Sequence, residues 1–251
     1  MLTLLPKLHS VNYILLENVK GFEISRIRDE LVDILISSGY AYQEFLLTPT
    51  QFGIPNSRLR YYLLAKKKPL EFCFSTKSEV MEKLPVFFKS DDVENEIINL
   101  QTNLETDFVQ CYPLKEILDE SEKDMVPDKI LNKYGTIFDV VTSESYKSCC
   151  FTKGYGHFVE GTGSVLSSKT SSHVEKIYDD LKKMNKNSSE ALNLLKSLNL
   201  RYFTPKEISK LMCFPDSLIF PNYFTKKQKY RLLGNSVNVH VVSILIKLLV
   251  S

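Results

Sequence analysis

The apolar positions of this chain change period several times, and the changes mark out its elements. Tyr13-Ile14-Leu15-Leu16 is an unbroken apolar run, closed at once by Glu17, Asn18 and Val19 and ended by Lys20 and Gly21. A continuous run of β-formers predicts a strand buried on both faces, as in a parallel sheet. Beyond Gly21 the period becomes helical: Ile24, Ile27, Leu31, Ile34 and Leu35 fall on one face, Ser25 is placed to cap, and Ser37-Ser38-Gly39 stops the run. Tyr42 to Leu47 reads as a second strand. A loop holding Gly53, Pro55 and Asn56 follows, and Leu59 to Ala65 reads as a third strand. Residues 2–9 read as the last turns of a helix, so the chain is expected to start inside a domain.

From Lys66 to about Thr106 the periodicity is weak, which predicts a linker or variable insertion, partly disordered. Short helical pieces are expected at Leu114–Leu118 and Ile130–Tyr134, and amphipathic helices at Val174–Met184 and Glu190–Leu198. Between them lies Cys150-Phe-Thr-Lys-Gly-Tyr-Gly-His-Phe-Val-Glu-Gly-Thr-Gly-Ser164, which holds four of the chain's nine glycines. Thr204-Pro205-Lys206-Glu207 is a helix start with a cap, a proline at the first helical position and a capping-box glutamate. A basic helix is expected at Thr225–Leu232. Gly234-Asn235-Ser236 then turns into a final apolar helix, whose most apolar part, Val237–Val250, contains Asn238, His240 and Lys247 and is too short to span a bilayer.

Composition narrows the class. With 43% hydrophobic and 25% charged residues the 251-residue chain has the makeup of a globular protein with a sizeable core. The net charge of +2 conceals an uneven distribution: residues 89–124 hold three lysines against eleven acids, and residues 201–251 hold eight lysines or arginines against two acids. A basic C-terminal stretch allows a nucleic-acid partner, although solvated surface accounts for most such charge. The five cysteines, an odd number without CxxC spacing, argue against a disulfide framework and a structural zinc site and place the chain in a reducing compartment. His157 has no metal-ligand companion at useful spacing, and His240 reads as a core or boundary residue.

The candidate chemistry lies at strand ends. Glu17 closes the first strand, where open α/β sheets place their chemistry, or it caps the strand and faces water. Arg58 and Arg60 stand at i and i+2, on one face as the chain enters the third strand, and two guanidiniums there can orient a carboxylate, a phosphate or a base carbonyl, or lie solvated on an edge. A neighbouring arginine lowers the pKa of Glu17 and an apolar pocket raises it; the sequence leaves that choice open.

Four of these pieces in order resemble the DNA cytosine-5 methyltransferase family. Glu17-Asn18-Val19 is similar to its ENV motif. Arg58-Leu59-Arg60 resembles the end of its QxRxR motif, with Asn56 in place of the glutamine. Arg201 to Pro215 resembles the block ending in GFP, with Cys213 in place of glycine, and Gly234-Asn235-Ser236 resembles its GNS motif. Cys150-Phe151-Thr152 followed by Lys153-Gly154-Tyr155-Gly156 is similar to the signature of the branch that methylates cytosine 38 in the anticodon loop of aspartate tRNA.

The resemblance implies an α/β fold: the C-terminal part of a doubly wound, Rossmann-like sheet with a smaller target-recognition domain. Residues 1–66 are expected to form the second half of the catalytic domain. Residues 67–200 would be the insertion and target-recognition domain, and 201–251 a return to the catalytic domain. It implies S-adenosyl-L-methionine as cofactor and tRNA, aspartate tRNA in particular, as partner, with no metal, no membrane and a monomeric state, in the cytoplasm and also the nucleus. In the implied chemistry a cysteine thiolate adds to carbon 6 of a flipped cytosine, carbon 5 takes the methyl group, and loss of the carbon 5 proton releases the thiolate. Glu17 matches the acid at cytosine N3 and N4, Arg58 and Arg60 the groups that hold the base carbonyl and the activated cysteine, and Asn235 and Ser236 the cofactor site. Cys150, Phe151, Thr152, Lys153 and Tyr155 match the substrate-recognition segment, with Lys153 on phosphate and Phe151 or Tyr155 stacking on a base. The family's F-x-G-x-G loop and its Pro-Cys nucleophile motif are both absent from these 251 residues. The chain is therefore expected to be an N-terminally truncated, inactive form of a tRNA methyltransferase. The alternatives are a non-catalytic RNA-binding or regulatory fragment and a piece of a DNA methyltransferase.

Overall fold

A computed structural model of the chain describes residues 7, 10–85, 109–119, 124–185 and 188–251. The described parts fall into two compact units. The first comprises Met1–Phe52, Leu59–Val109 and His240–Ser251, and the second Gly53–Arg58 and Gln110–Val239. The segment 201–251 is thus divided, its first 39 residues in the second unit and the rest in the first. The expected helix at residues 2–9 lies almost wholly outside the described residues.

The first unit is built on a three-stranded sheet of β1 (Tyr13–Val19), β2 (Tyr40–Leu47) and β3 (Arg60–Lys67), in the order β1-β3-β2. Both pairings are antiparallel, so β1 and β2 point the same way with β3 inserted between them. This corrects the expectation of a parallel, doubly buried first strand: β1 pairs with β3 alone among the described strands, and none of its seven residues is fully buried. The apolar run identifies the strand but carries no information about a partner 40 residues away.

Helix α1 (Arg26–Ser37) connects β1 to β2. The Ser25 hydroxyl caps it by accepting from the Arg28 N–H, and Gly39 takes the positive φ that turns the chain into β2. Leu31, Val32 and Leu35 pack on Tyr40, Tyr61, Leu63 and Ala65, with Ile14, Leu16 and Phe22 alongside. Below this layer sits a buried polar cluster. The Arg28 guanidinium forks onto Glu44, and the Tyr61 hydroxyl donates to the same carboxylate at 2.7 Å. Burial, then the Glu44 carboxylate, raises the Tyr61 pKa far above the usual phenol range. The opposite sheet face buries Phe45, Leu47, Tyr62 and Leu64.

Residues 68–85, expected to be linker, follow the free side of β2 instead. The Leu46 N–H donates to the Met81 carbonyl and the Met81 N–H to the Glu44 carbonyl across a parallel bridge between Phe45 and Met81, and the Gln43 side chain ties to Lys77 and Glu79. The rest of that expected insertion, residues 86–108, lies outside the described residues.

In the second unit, β4 (Asp124–Met125), β5 (Val140–Val141), β6 (Val165–Leu166) and β7 (Arg201–Tyr202) form a small sheet in the order β4-β7-β6-β5. Helices α2 (Asp128–Tyr134), α3 (Ser171–Lys182), α4 (Ser189–Ser197), α5 (Pro205–Leu211) and α6 (Lys226–Gly234) accompany it. The capping box at α5 is present as expected, and its glutamate does more than cap. Glu207 is fully buried and also takes a fork from Arg201, at 2.7 and 2.9 Å, and the Asp119 N–H. Helix α7 (Val239–Val250) closes the chain, with Val241, Leu245, Leu248 and Leu249 buried on one face. The segment Lys226–Val250 has the length and hydropathy of a membrane span. It is nevertheless two helices broken at residues 235–238, and the 12-residue α7 rises only about 18 Å.

Candidate active site

In the first unit the candidate chemistry is an ion pair on a sheet face. Glu17 lies opposite Tyr62 in the antiparallel ladder and Val19 lies opposite Arg60, so Glu17 and Arg60 are diagonal neighbours on one face. Arg60 Nε approaches Glu17 Oε1 to 3.4 Å, and Arg60 Nη1 donates to the Leu59 carbonyl at 2.8 Å. The pair is neither buried nor fully solvated: the Glu17 side chain is 25% exposed and that of Arg60 16%. A carboxylate held this way keeps an open side toward solvent while its direction is fixed by a planar guanidinium. Asn18 turns its side chain back to the Val19 N–H at 2.9 Å and thereby shapes the strand end.

In the second unit Arg58 has a different task from Arg60. It is 4% exposed, and its guanidinium is spread over backbone and sulfur: Nη1 reaches Cys150 Sγ at 3.4 Å and the Phe151 carbonyl at 3.3 Å, while Nη2 donates to the carbonyls of Gly234 (3.2 Å) and Ser236. The expectation that Arg58 and Arg60 share a face and a ligand is therefore corrected, because β3 begins at Arg60 and the strand alternation does not extend to Arg58. Asn56, in the glutamine position of the motif, is 2% exposed and donates to Ser148 Oγ and the Cys149 carbonyl. The 55–58 segment is thus laced along residues 148–151.

The glycine of Gly234-Asn235-Ser236 now has a physical reason. A Cβ there would stand 2.1 Å from Lys153 N and 2.3 Å from Thr152 C, so the end of α6 lies directly on the backbone of the 150–156 segment. Asn235 is exposed. Ser236 is half-buried, and its hydroxyl donates to the Leu233 carbonyl at 2.6 Å.

Phe151 and Tyr155, expected as stacking platforms, are instead core residues at 3% exposure each. Phe151 packs edge-on against Tyr155 and Phe203. Tyr155 meets Tyr202 and Tyr230, and its hydroxyl donates to the Ser164 carbonyl and accepts from the Phe203 N–H. With ring faces and hydroxyl so occupied, neither can stack on a base. A Gly-rich aromatic run reads as an exposed loop in sequence because its burying partners lie some 50 and 80 residues further on. Within the 150–164 segment the exposed side chains are Lys153, His157, Phe158 and Glu160. Cys150 is half-buried against Arg58. Cys149 is on the surface, yet partial burial of its sulfur, followed by the Asp139 carboxylate, pushes its thiol up to about 11. Among the described residues no group of histidines, cysteines and carboxylates is arranged to hold a metal ion.

Comparison with known proteins agrees with these motifs. The C-5 cytosine-specific DNA methylase family matches residues 7–251. A Spodoptera frugiperda tRNA (cytosine(38)-C(5))-methyltransferase is 43% identical over 248 residues, which are 98% of this chain and 68% of the relative. The human protein of the same name is 41% identical over 290 residues, covering 99% of this chain and 74% of its own length. The crystal structure of a Spodoptera frugiperda DNMT2 mutant superposes with a TM-score of 0.86 at 40% identity, over 100% of this chain and 70% of that one. On motif order, identity over almost the whole chain and shared fold, the protein belongs to the C-5 cytosine methylase family and, within it, to the Dnmt2 branch.

Proposed function

We propose that this chain carries the base-holding and RNA-binding part of a tRNA cytosine-38 C5-methyltransferase, with Glu17 as the acid at the N3–N4 edge of the cytosine. The Glu17–Arg60 pair carries this reading. It is a carboxylate oriented by a guanidinium at a strand end and left open on one side, and neutralising that edge of a cytosine makes carbon 6 electrophilic. Arg60 orients Glu17 and is the arginine assigned to the base carbonyl. Arg58 is a positioning residue: its Nη1 and Nη2 are engaged on the Cys150 sulfur and on the carbonyls of Phe151, Gly234 and Ser236.

The family uses S-adenosylmethionine, which supplies the methyl group when bound. Of the two residues that match its site, the exposed Asn235 fits as a contact, whereas the Ser236 hydroxyl is engaged with Leu233. Neither Pro-Cys nor F-x-G-x-G occurs in these 251 residues, and neither Cys149 nor Cys150 is prepared to replace the nucleophile. Cys150 is taken up by Arg58, and Cys149 is held protonated. The chain by itself therefore binds tRNA without methylating it.

The purified chain should bind aspartate tRNA more tightly than duplex DNA at matched salt, and it should transfer no labelled methyl from S-adenosylmethionine. Tighter binding to the duplex would overturn the substrate assignment. Incorporation of label into tRNA would overturn the claim of inactivity.

A further inference from the structure

The second unit holds a cavity of about 320 Å³ outside the groups discussed so far, lined by Asp119, Thr204, Pro205, Lys206, Phe220, Lys226 and Lys229. Three lysines from α5 and α6 face one lining carboxylate. Lys206 pairs with Asp119 at 2.7 Å, with Asp216 further off, and Lys226 pairs with Asp124 at 3.1 Å. Lys229 lies over the Phe220 ring, 5.8 Å from its centroid. The lining itself holds three lysines and one carboxylate, with Asp124 and Asp216 outside it, and Phe220 gives one wall an aromatic face. The chain from Ile219 to Phe224 is unusual in a second way. Ile219 is 81% exposed and Tyr223 is 79% exposed, the latter meeting Phe224 edge-on at 5.0 Å. Large apolar side chains this exposed leave a cost in water that a partner would remove.

Lysines interleaved with aromatic rings are the chemistry that grips unpaired nucleic acid: ammonium groups meet phosphates, and rings stack on bases without regard to sequence. A protein partner would be served by the apolar residues alone and gives the lysines no role. We propose that this cavity and the adjoining 219–224 loop are a second RNA subsite, in which Lys206 and Lys229 hold a backbone phosphate and Tyr223 stacks on an unpaired base of the RNA. The subsite rests on the reading of the chain as a tRNA binder and adds a contact that Glu17 and Arg60 do not supply. It takes the stacking role that the buried Phe151 and Tyr155 cannot fill.

The test is RNA affinity of the whole 251-residue chain, measured by fluorescence anisotropy with a labelled single-stranded RNA oligonucleotide and with tRNA, across a salt series. Tyr223→Ala should weaken binding by about fivefold or more, as loss of one stacked base does. Lys229→Gln should lower the slope of log affinity against log salt by about one, as loss of one phosphate contact does. Lys182→Gln, on α3 and away from the cavity lining, should change neither quantity. Both substituted side chains are at the surface or its margin, and unchanged thermal midpoints will show that the variants are folded. Loss of affinity with Lys182→Gln equal to that with Lys229→Gln would mean only diffuse charge and would overturn the subsite. So would wild-type affinity in Tyr223→Ala. Failure of the parent chain to bind RNA at all would instead overturn the reading on which the subsite rests.

Discussion

Gly234→Ala sets two effects of opposite sign against each other, and the structure decides between them. Gly234 is the last residue of α6 and its φ is not in the left-handed region, so an alanine there suits the backbone. Helix propensity and the smaller freedom of the unfolded chain favour alanine by about 1 kcal/mol. Against this, the new Cβ would stand 2.1, 2.3 and 2.6 Å from the backbone atoms of Thr152 and Lys153, where nonbonded contacts to carbon belong at about 3.5 Å or more. Backbone cannot rotate away as a side-chain tip can, so the two segments must part by more than 1 Å. That opening falls on the Arg58 clamp. Its bonds to Phe151 and Gly234, now 3.3 and 3.2 Å, would pass beyond hydrogen-bond range. Bonds from a charged donor contribute about 1.5–3 kcal/mol each. Two such losses, less the propensity gain and some relaxation, leave a net destabilisation of about 2–5 kcal/mol. In a chain of this size that lowers the thermal midpoint by about 5–15 °C. Thermal and urea unfolding of both proteins measure it. Gly161→Ala is the control for conformation without contact: its φ is +66° and nothing lies within 4 Å, so it should cost only about 1–2 kcal/mol. A midpoint for Gly234→Ala equal to or above the parent's would refute the close approach and, with it, the clamp.

Two further expectations use other positions. Cys213 follows α5 with φ +59°, where its N–H bonds to the Lys210 carbonyl and Phe214 N–H closes onto Ser209, so Cys213→Gly should stabilise the chain by about 0.5–1 kcal/mol, read as a raised unfolding midpoint; a lowered midpoint would show that the thiol's contacts outweigh the backbone strain. Cys149, with its thiol pushed up to about 11, should be alkylated by iodoacetamide with a half-maximal rate near pH 11, and at pH 8 about 100-fold more slowly than an ordinary thiol, as followed by fragment mass spectrometry; a midpoint near 9 would show that burial and Asp139 do not hold the proton.

Local signals in the sequence were reliable where the physics is local. Ser25 caps α1, Thr204 and Glu207 make their box, and the strands at 13–19, 40–47 and 60–67 lie where the apolar runs put them. What escaped was non-local. The insertion of β3 between β1 and β2 depends on pairings that no single run encodes. The second bond of Glu207, to Arg201, is invisible to a capping pattern because it requires β7 and α5 to be folded together. Cys213 reads as a small apolar filler until its φ is known, and only then does the family's preference for glycine at that place become a statement about backbone. Of the candidate site, Glu17, Arg58 and Arg60 could be singled out from motif order, whereas the pairing of Glu17 with Arg60 and the division of labour between the two arginines could not.

That division explains why a motif can be spread over four stretches of chain. Arg58, Cys150-Phe151 and Gly234-Asn235-Ser236 are 92 and 176 or more residues apart, yet one guanidinium satisfies carbonyls from both distant stretches. Those carbonyls end a helix and begin a turn, where no backbone partner is at hand, and leaving them buried without a donor costs more than any single bond returns. A lysine has the charge but not the planar fork, so it cannot reach two diverging segments at once. Gly234 lets the segments close, Arg58 keeps them closed, and the exposed Lys153 and Asn235 are held at fixed positions on the result. Part of what looks like a catalytic signature in the sequence is thus the fastening that makes a recognition surface rigid, and the chemistry proper rests on the smaller set that stays open to a ligand.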